Sequence, residues 1–264
     1  MPDARQESLV ATAAGLHELI EHIRGERRFG FDTEFVSEET FEPVLCLIQV
    51  ATSQRLVVVD PLSVGDLSPF WDVVLDPSIE VVMHAAGEDM RICLMRTSEL
   101  PERVFDVQLA AGLVGYSYPL SHTNLVGQVI RVTISGSETR TDWRRRPLTQ
   151  AQVRYALDDV RYLLESRDRL GAELDRLGRT SWAEDEFQDY LDAIEERADE
   201  ERWRRLPGLQ HLNRRALEAA RRLSQWRENE ARRQNRPMRQ VMRDDLVVAI
   251  AKRMPANRRD LEAL

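Results

Sequence analysis

Apolar residues in the first half of the chain come in short, alternating or unbroken runs, and in the second half they recur three and four residues apart. That change of period predicts strands first, then strand–helix alternation, then helices on a mixed α/β sheet. Residues 8–27 carry Leu9, Leu16, Leu19, Ile20 and Ile23 at roughly helical spacing up to Gly25, and read as an opening helix. The stretch Phe29-Gly30-Phe31-Asp32-Thr33-Glu34-Phe35-Val36 alternates aromatic and β-branched residues with smaller or polar ones, the pattern of a strand. Residues 44–50 form a nearly continuous apolar run suited to a buried strand, and 55–60 form another, stopped by Asp60-Pro61. Three strands in close succession predict an antiparallel meander. A helix over 66–75 leads to a fourth strand over 79–84, followed by a helix over 87–96 and a short strand from Val104. Residues 106–115 and 121–130 read as helical, 131–147 as irregular, 148–178 as one or two helices, and 182–200 as an acidic helix or linker.

Composition adds bounds. The 264 residues suffice for one large domain or a medium domain plus a small one, and 42% hydrophobic content supports a real core. No run of 18 apolar residues and no basic-then-apolar start is present, so a membrane span or export signal is not expected and a cytoplasmic location is. Cys46 and Cys93 both sit between apolar neighbours and read as small buried hydrophobes in a reducing compartment. The net charge of −8 hides an asymmetry: residues 202–264 hold 17 Lys and Arg against 7 Asp and Glu, and the remainder holds 20 against 38. A basic module on an acidic body is a signature of polyanion binding, although a solvated helical face has the same composition.

Three sites carry candidate chemistry. Side chains at i and i+2 of a strand share a face, so Asp32 and Glu34 converge while Phe31, Thr33 and Phe35 point to the other side. Two such carboxylates repel unless a positive charge lies between them, and a hard divalent cation is the simplest one. A strand-end acid beside a turn-capping acid is the plainer reading. Asp89 follows the fourth strand in His84-Ala85-Ala86-Gly87-Glu88-Asp89, where acids also serve a helix N-terminus. His84 reads as a core-edge histidine, and Glu88 is expected to point away. Tyr155 and Asp159 lie four apart on a helix and project together, with Asp158 a near competitor.

Together, Asp32-x-Glu34, Asp89 and Tyr155-x-x-x-Asp159 resemble the three exonuclease motifs of the DEDDy family, and the ribonuclease D family within it. The strings Leu47-Ile48-Gln49, Asp60-Pro61-Leu62, His84-Ala85, Arg140-Thr141-Asp142-Trp143, Arg146-Pro147-Leu148 and Asp158-Asp159-Val160 resemble that family over about residues 8–180. Leu223-Ser224-Gln225-Trp226-Arg227, Ala231, Pro237 and Asp245-Leu246 resemble the helicase-and-ribonuclease-D C-terminal (HRDC) domain. The resemblance implies an α/β fold: a ribonuclease H-like, mixed five-to-six-stranded sheet flanked by helices, followed by a small all-α helical domain. It implies an exonuclease domain over 1–181, an acidic helix or linker over 182–201, and an HRDC-like domain over 202–264 that stops before its last helix. Where relatives often carry a lysine, this chain has Ser135-Gly136-Ser137, and relatives can carry two C-terminal helical domains where this chain has room for one.

The resemblance further implies a metal-dependent 3′→5′ exoribonuclease that releases 5′-mononucleotides. Two divalent ions, Mg²⁺ by preference and Mn²⁺ as the alternative, would be held by Asp32, Glu34, Asp89 and Asp159, with Tyr155 orienting the attacking water. The expected partner is RNA with a free 3′ end, tRNA precursors foremost, and the expected state is a monomer. A DNA exonuclease of the same fold and a non-catalytic nucleic-acid-binding module are the competing readings. A Gly-x-Ser-x-Gly elbow and a Walker loop are both missing.

Overall fold

The computed structural model describes residues 4–134, 141–199 and 201–263, so the Ser135-Gly136-Ser137 stretch and Arg140 lie outside the described residues. The chain forms two compact units, one of Met1–Phe35 with Leu45–Glu195 and one of Val36–Val44 with Glu196–Leu264. In chain order the elements begin with β1 (Gln6–Val10), α1 (Ala13–Glu26), β2 (Arg28–Val36), β3 (Val44–Ala51) and β4 (Arg55–Val59). Then come α2 (Pro61–Val64), α3 (Ser68–Val74), β5 (Glu80–Met83), α4 (Gly87–Thr97), β6 (Val104–Asp106) and α5 (Val107–Leu113). After them come α6 (His122–Leu125) with a π-turn over Val126–Ile130, α7 (Gln150–Arg161), α8 (Leu163–Leu177) and α9 (Thr180–Asp199).

Among the described residues six strands form one sheet in the order β1-β4-β3-β2-β5-β6. The β3–β4 pair is antiparallel, whereas β1 with β4, β2 with β5 and β5 with β6 are parallel, so the sheet is mixed. The opening differs from the single helix read over 8–27. Residues 6–10 pair with β4 instead, and the helix starts only after Thr12, whose side chain accepts from the Gly15 N–H. Leu9 therefore belongs to a strand, although its spacing to Leu16 fits a helix. A five-residue strand leading straight into a helix has too short a pattern to separate the two periods.

The strand β2 lies inside the sheet, between β3 and β5. Its far face is anchored by aromatic packing: Phe29 and Phe31 contact Phe70, and Phe31 also contacts Trp71, with centroids 5.7–6.2 Å apart. Edge-on and tilted pairs of this kind add about 0.5–1.5 kcal/mol beyond simple burial. Helix α3 supplies both partners, which clamps β2 in register. The β2–β5 pairing runs only from Arg28↔Glu80 to Gly30↔Val82. Beyond that point β5 ends and turns away, so the C-terminal half of β2 projects past its parallel neighbour. Cys46 and Cys93 are buried free thiols, and burial pushes the Cys93 thiol up to about 11.

Of the acidic stretch read over 182–200, residues 182–199 form most of α9. Its buried Ala183, Phe187, Leu191 and Ile194 follow a 4-4-3 spacing, the stripe of an amphipathic helix. Leu191 and Ile194 join the main hydrophobic core, and Phe187 stacks on Phe105 of β6 at 5.0 Å. The acids occupy the remaining faces. The second unit contains two 3₁₀ turns (Arg202–Arg205 and Leu209–His211), α10 (Arg214–Gln234), α11 (Met238–Val241), α12 (Asp244–Arg253) and α13 (Arg258–Glu262). Small residues bring its helices together: Ala216, Ala220 and Ala231 of α10 and Val247 and Ala251 of α12 are buried. Arg227 is buried too, donating to the Met242 carbonyl at 3.1 Å and to Asp244 at 2.5 Å. Phe41 sits between the guanidinium groups of Arg202 and Arg232, 5.6 and 5.1 Å from its centroid.

Because α9 contributes to the core of the first unit, Leu191→Ala should cost about 2–5 kcal/mol. Thermal unfolding of the two proteins checks this. A loss below about 0.5 kcal/mol would make α9 a spacer that the core does not need.

Candidate active site

The strand period places Asp32 and Glu34 on one face of β2, both half-buried, while Phe31 and Thr33 are buried between them. Parallel pairing of β2 with β5 points both C-terminal ends to the same sheet edge, where open α/β sheets form their clefts. The chain leaving β5 therefore delivers the next candidate, Asp89, to the same edge.

That delivery depends on a tight turn. Ala85 adopts a left-handed conformation with φ +55°, strained for a residue with a Cβ. The carboxylate of Asp106, at the end of β6, holds the turn by accepting the backbone N–H groups of Ala85 at 3.2 Å and Ala86 at 2.9 Å. The same carboxylate caps α5 through Gln108 at 2.7 Å and Leu109 at 3.3 Å. Helix α4 then starts at Gly87, and a Cβ there would lie 2.6 Å from the Tyr190 hydroxyl of α9, so glycine is what fits beneath that phenol. Asp89 lies in the first turn of α4, 6% exposed, and accepts a hydrogen bond from the Thr33 hydroxyl of β2. Glu88 is exposed and pairs with Arg91 at 2.9 Å. His84 donates through Nε2 to the Leu120 carbonyl oxygen at 2.8 Å, just ahead of α6.

The third element is α7, started by a capping box between Thr149 and Gln152. Tyr155 and Asp159 lie one turn apart on it, both half-buried. Asp158 is drawn aside by Arg161, whose Nε donates to it at 2.7 Å. Asp159 is 3.9 Å from His122 Nδ1. The Tyr155 ring packs 6.0 Å from that of Trp143, which is buried. The segment carrying Trp143 is fastened by Arg146. Its guanidinium grips Asp60 with two bonds of 2.7 and 2.6 Å and reaches the carbonyls of Cys46 at 3.0 Å and Trp143 at 2.7 Å. A bidentate pair of this kind, beside a nearly buried carboxylate, fixes orientation as well as distance.

The electrostatics tie the three elements together. Burial raises the Asp32 carboxyl well above its usual range, and the charges of Asp89, Asp159 and Glu34 raise it further. Burial, then Asp159 and Asp89, raise Glu34 to about 8. Asp89 and Asp159 are each raised to about 7, first by burial, with the Thr33 hydroxyl opposing the rise at Asp89 and neighbouring Asp158 adding to it at Asp159. Each group is thus more costly to ionise in this cleft than in water. His122 is driven down to about 3 by burial and by His84 beside it, so a neutral imidazole faces Asp159 and leaves the acids uncompensated.

A donor set made only of carboxylate oxygens suits a hard divalent cation, and a cation is what such a set needs to ionise at neutral pH. The side chains do not, among the described residues, close into a group of three or more that is already in ligating geometry. Several positioning residues had no clear mark in the sequence. Asp106 could have been found as an N-cap just before a helix. Thr33, Tyr190 and His122 act across long sequence separations and carry no local signal.

Residues 8–175 match the 3′-5′ exonuclease family and residues 216–264 match the HRDC domain. The chain is 35% identical to ribonuclease D of Desulfotalea psychrophila over 260 residues, covering 97% of this chain and 70% of that protein. It is 34% identical to ribonuclease D of Escherichia coli, covering 97% and 68%. The crystal structure of the Escherichia coli enzyme, described as an exoribonuclease involved in structured RNA processing, superposes with a TM-score of 0.90 at 33% identity, covering 97% of this chain and 68% of that one. The catalytic core of RRP6 from Trypanosoma brucei shares the fold, with a TM-score of 0.73 at 24% identity over 98% of this chain and 73% of that one. Exonucleases of this type use divalent metals. Among the described residues no helix is long and apolar enough to cross a membrane.

The raised carboxyls have a measurable consequence in the metal-free protein. In the unfolded chain they titrate near 3.8 and 4.5, and in the folded chain near 7 to 8. The folded state therefore holds protons that the unfolded state releases, and stability falls as pH rises through that window. With chelator present, the Tm should drop between pH 5 and 8.5, and Asp32→Asn should flatten the drop by removing the most strongly repelled group. Mg²⁺ should restore the wild-type Tm at pH 8. Superimposable profiles for the two proteins would mean that Asp32 does not repel its neighbours.

Proposed function

The chain belongs to the ribonuclease D family and is a 3′→5′ exoribonuclease, and from that premise we propose that it trims structured RNAs, tRNA precursors among them, by metal-dependent hydrolysis. The observation that carries this reading is the set of four acids from three elements at one sheet edge, where Asp89 and Asp159 raise the carboxyls of Asp32 and Glu34. Such a set destabilises the protein unless it serves to bind cations. Two bound divalent ions, Mg²⁺ by preference because it takes few carboxylates and keeps water and phosphate ligands, with Mn²⁺ as the alternative, would activate water and stabilise the leaving 3′ oxygen.

In this reading Asp32, Glu34, Asp89 and Asp159 would hold the ions. Thr33 keeps Asp89 tied to β2, and Asp106 keeps the α4 N-terminus in place. Tyr155, backed by Trp143, holds its phenol beside the attacking water. The water oxygen bonds to phosphorus as the bond to the 3′ oxygen breaks, which yields a 5′-mononucleotide and a shortened chain ending in a hydroxyl. Residues 1–181 carry the chemistry and residues 202–264 the attraction for the RNA backbone, with the acidic 182–201 stretch between them in sequence. The enzyme works as a monomer in the cytoplasm, where its RNA substrates are made.

Digestion of matched 3′-labelled RNA and DNA oligomers, with and without chelator, tests the reading. RNA should be shortened from its 3′ end, DNA should be disfavoured, and chelator should stop both. Asp32→Asn should abolish hydrolysis. Asp159→Asn should reduce the rate far more than Asp158→Asn, whose carboxylate is already committed to Arg161. Tyr155→Phe should lower the rate by about 10²-fold while RNA affinity holds, the size of a lost positioning group. Hydrolysis by Asp32→Asn within tenfold of wild type would remove Asp32 from the site.

A further inference from the structure

Helix α10 buries one face and leaves the opposite one open. Its buried residues are Ala216, Ala220, Ser224, Arg227 and Ala231, a 4-4-3-4 stripe. At 100° per residue, Arg215, Arg222, Trp226 and Arg233 fall on a second stripe more than a quarter-turn from the first. All four are exposed, and Trp226 keeps 50% of its surface open to solvent. With a rise of about 1.5 Å per residue, the stripe places Trp226 about 6 Å from the level of Arg222 and about 10 Å from that of Arg233.

An indole left half open in the middle of an arginine row is an unusual use of a large apolar side chain. A purely solvated face has no need of one, and the second unit fills its own core with alanine and valine. Arg222 is held by Glu218 at 2.8 Å and Arg233 by Glu230 at 2.6 Å, so both guanidinium groups are oriented along the helix rather than waving freely. Their side chains are 76% and 71% exposed, and a phosphate can compete with the carboxylates in water. Arg215 adds a third cation about two turns nearer the N-terminus than Arg222. The helix as a whole carries seven arginines against three glutamates.

We propose that Trp226 is a base-stacking platform for single-stranded RNA, with Arg215, Arg222 and Arg233 as the phosphate contacts on either side of it. Stacking takes any base because every base has a π-face, and the arginines follow the backbone without reading sequence. This is the grip an exonuclease needs on a strand whose sequence changes with each nucleotide removed. Charge complementarity selects the occupant: a polyanion fits the row, and the indole selects one with unpaired bases over duplex. The inference rests on RNA being the substrate, but it concerns a surface that the hydrolytic carboxylates do not share.

The test uses the full chain and a fluorescent U20 RNA in chelator, so that binding is read without cleavage. Trp226→Ala should weaken binding by about 5- to 150-fold, the range for losing one stacked base, and Trp226→Phe should stay within about threefold of wild type. Arg222→Gln and Arg233→Gln should each lower the slope of log affinity against log salt by about 0.7, the single-strand value per phosphate contact. Failure of the active-site reading shows instead as hydrolysis surviving in Asp32→Asn, an independent measurement. Affinity of Trp226→Ala within twofold of wild type, or equal loss for Trp226→Phe and Trp226→Ala, would overturn the platform.

Discussion

Four carboxylates held in one half-buried cleft repel each other, and much of the first unit can be understood as the frame that resists that repulsion. Asp32 suffers most, since burial and three neighbouring acids all disfavour its charge. A loose frame would let the acids swing into solvent. Here each acid sits on a rigid element: two on an interior strand, one in the first turn of α4, one in the last turn of α7. The strand is locked from behind by Phe29, Phe31, Phe70 and Trp71.

The frame works mostly through hydrogen bonds from uncharged groups and through one outlying ion pair. Thr33 reaches Asp89, Asp106 gathers four backbone N–H groups, and Tyr190 meets the backbone at Gly87. The Arg146–Asp60 fork stands away from the four acids and holds the segment that supports Tyr155. Positive side chains within the cleft would have quenched the repulsion and with it the affinity for cations. His122, whose Nδ1 lies 3.9 Å from Asp159, is kept neutral by burial.

Charge is handled in opposite ways in the two units. The first carries the acid excess, concentrated in the cleft and along the exposed faces of α9. The second carries the arginines, several of them paired locally within a helical turn, as Arg221 and Arg222 are with Glu218 and Arg233 is with Glu230. Exposed pairs of this kind add little stability. They keep a dense cationic surface from repelling itself, and they leave it able to exchange partners for phosphate.

The Asp32-x-Glu34 spacing by itself determined that two acids share a strand face, because the strand period is two. The helical period likewise determined that Asp159, with Asp158 as the near competitor, follows Tyr155 by one turn. The alternation around Phe31, the apolar run of β3 and the spacing of α7 are local patterns, so the class of fold and the candidate acids were legible. What local pattern could not decide, tertiary contact did. Residues 6–10 became a strand because β4 offered a parallel edge. Residues 182–199 became a helix with a buried side because Phe105 and the core received Phe187, Leu191 and Ile194. Asp158 and Asp159 differ in surroundings because Arg161 engages the first and His122 lies beside the second. Thr33, Asp106, Arg146 and Tyr190 act across separations of up to about a hundred residues, where no periodicity exists to announce a contact. A period reports which residues share a face, and only packing reports what that face meets.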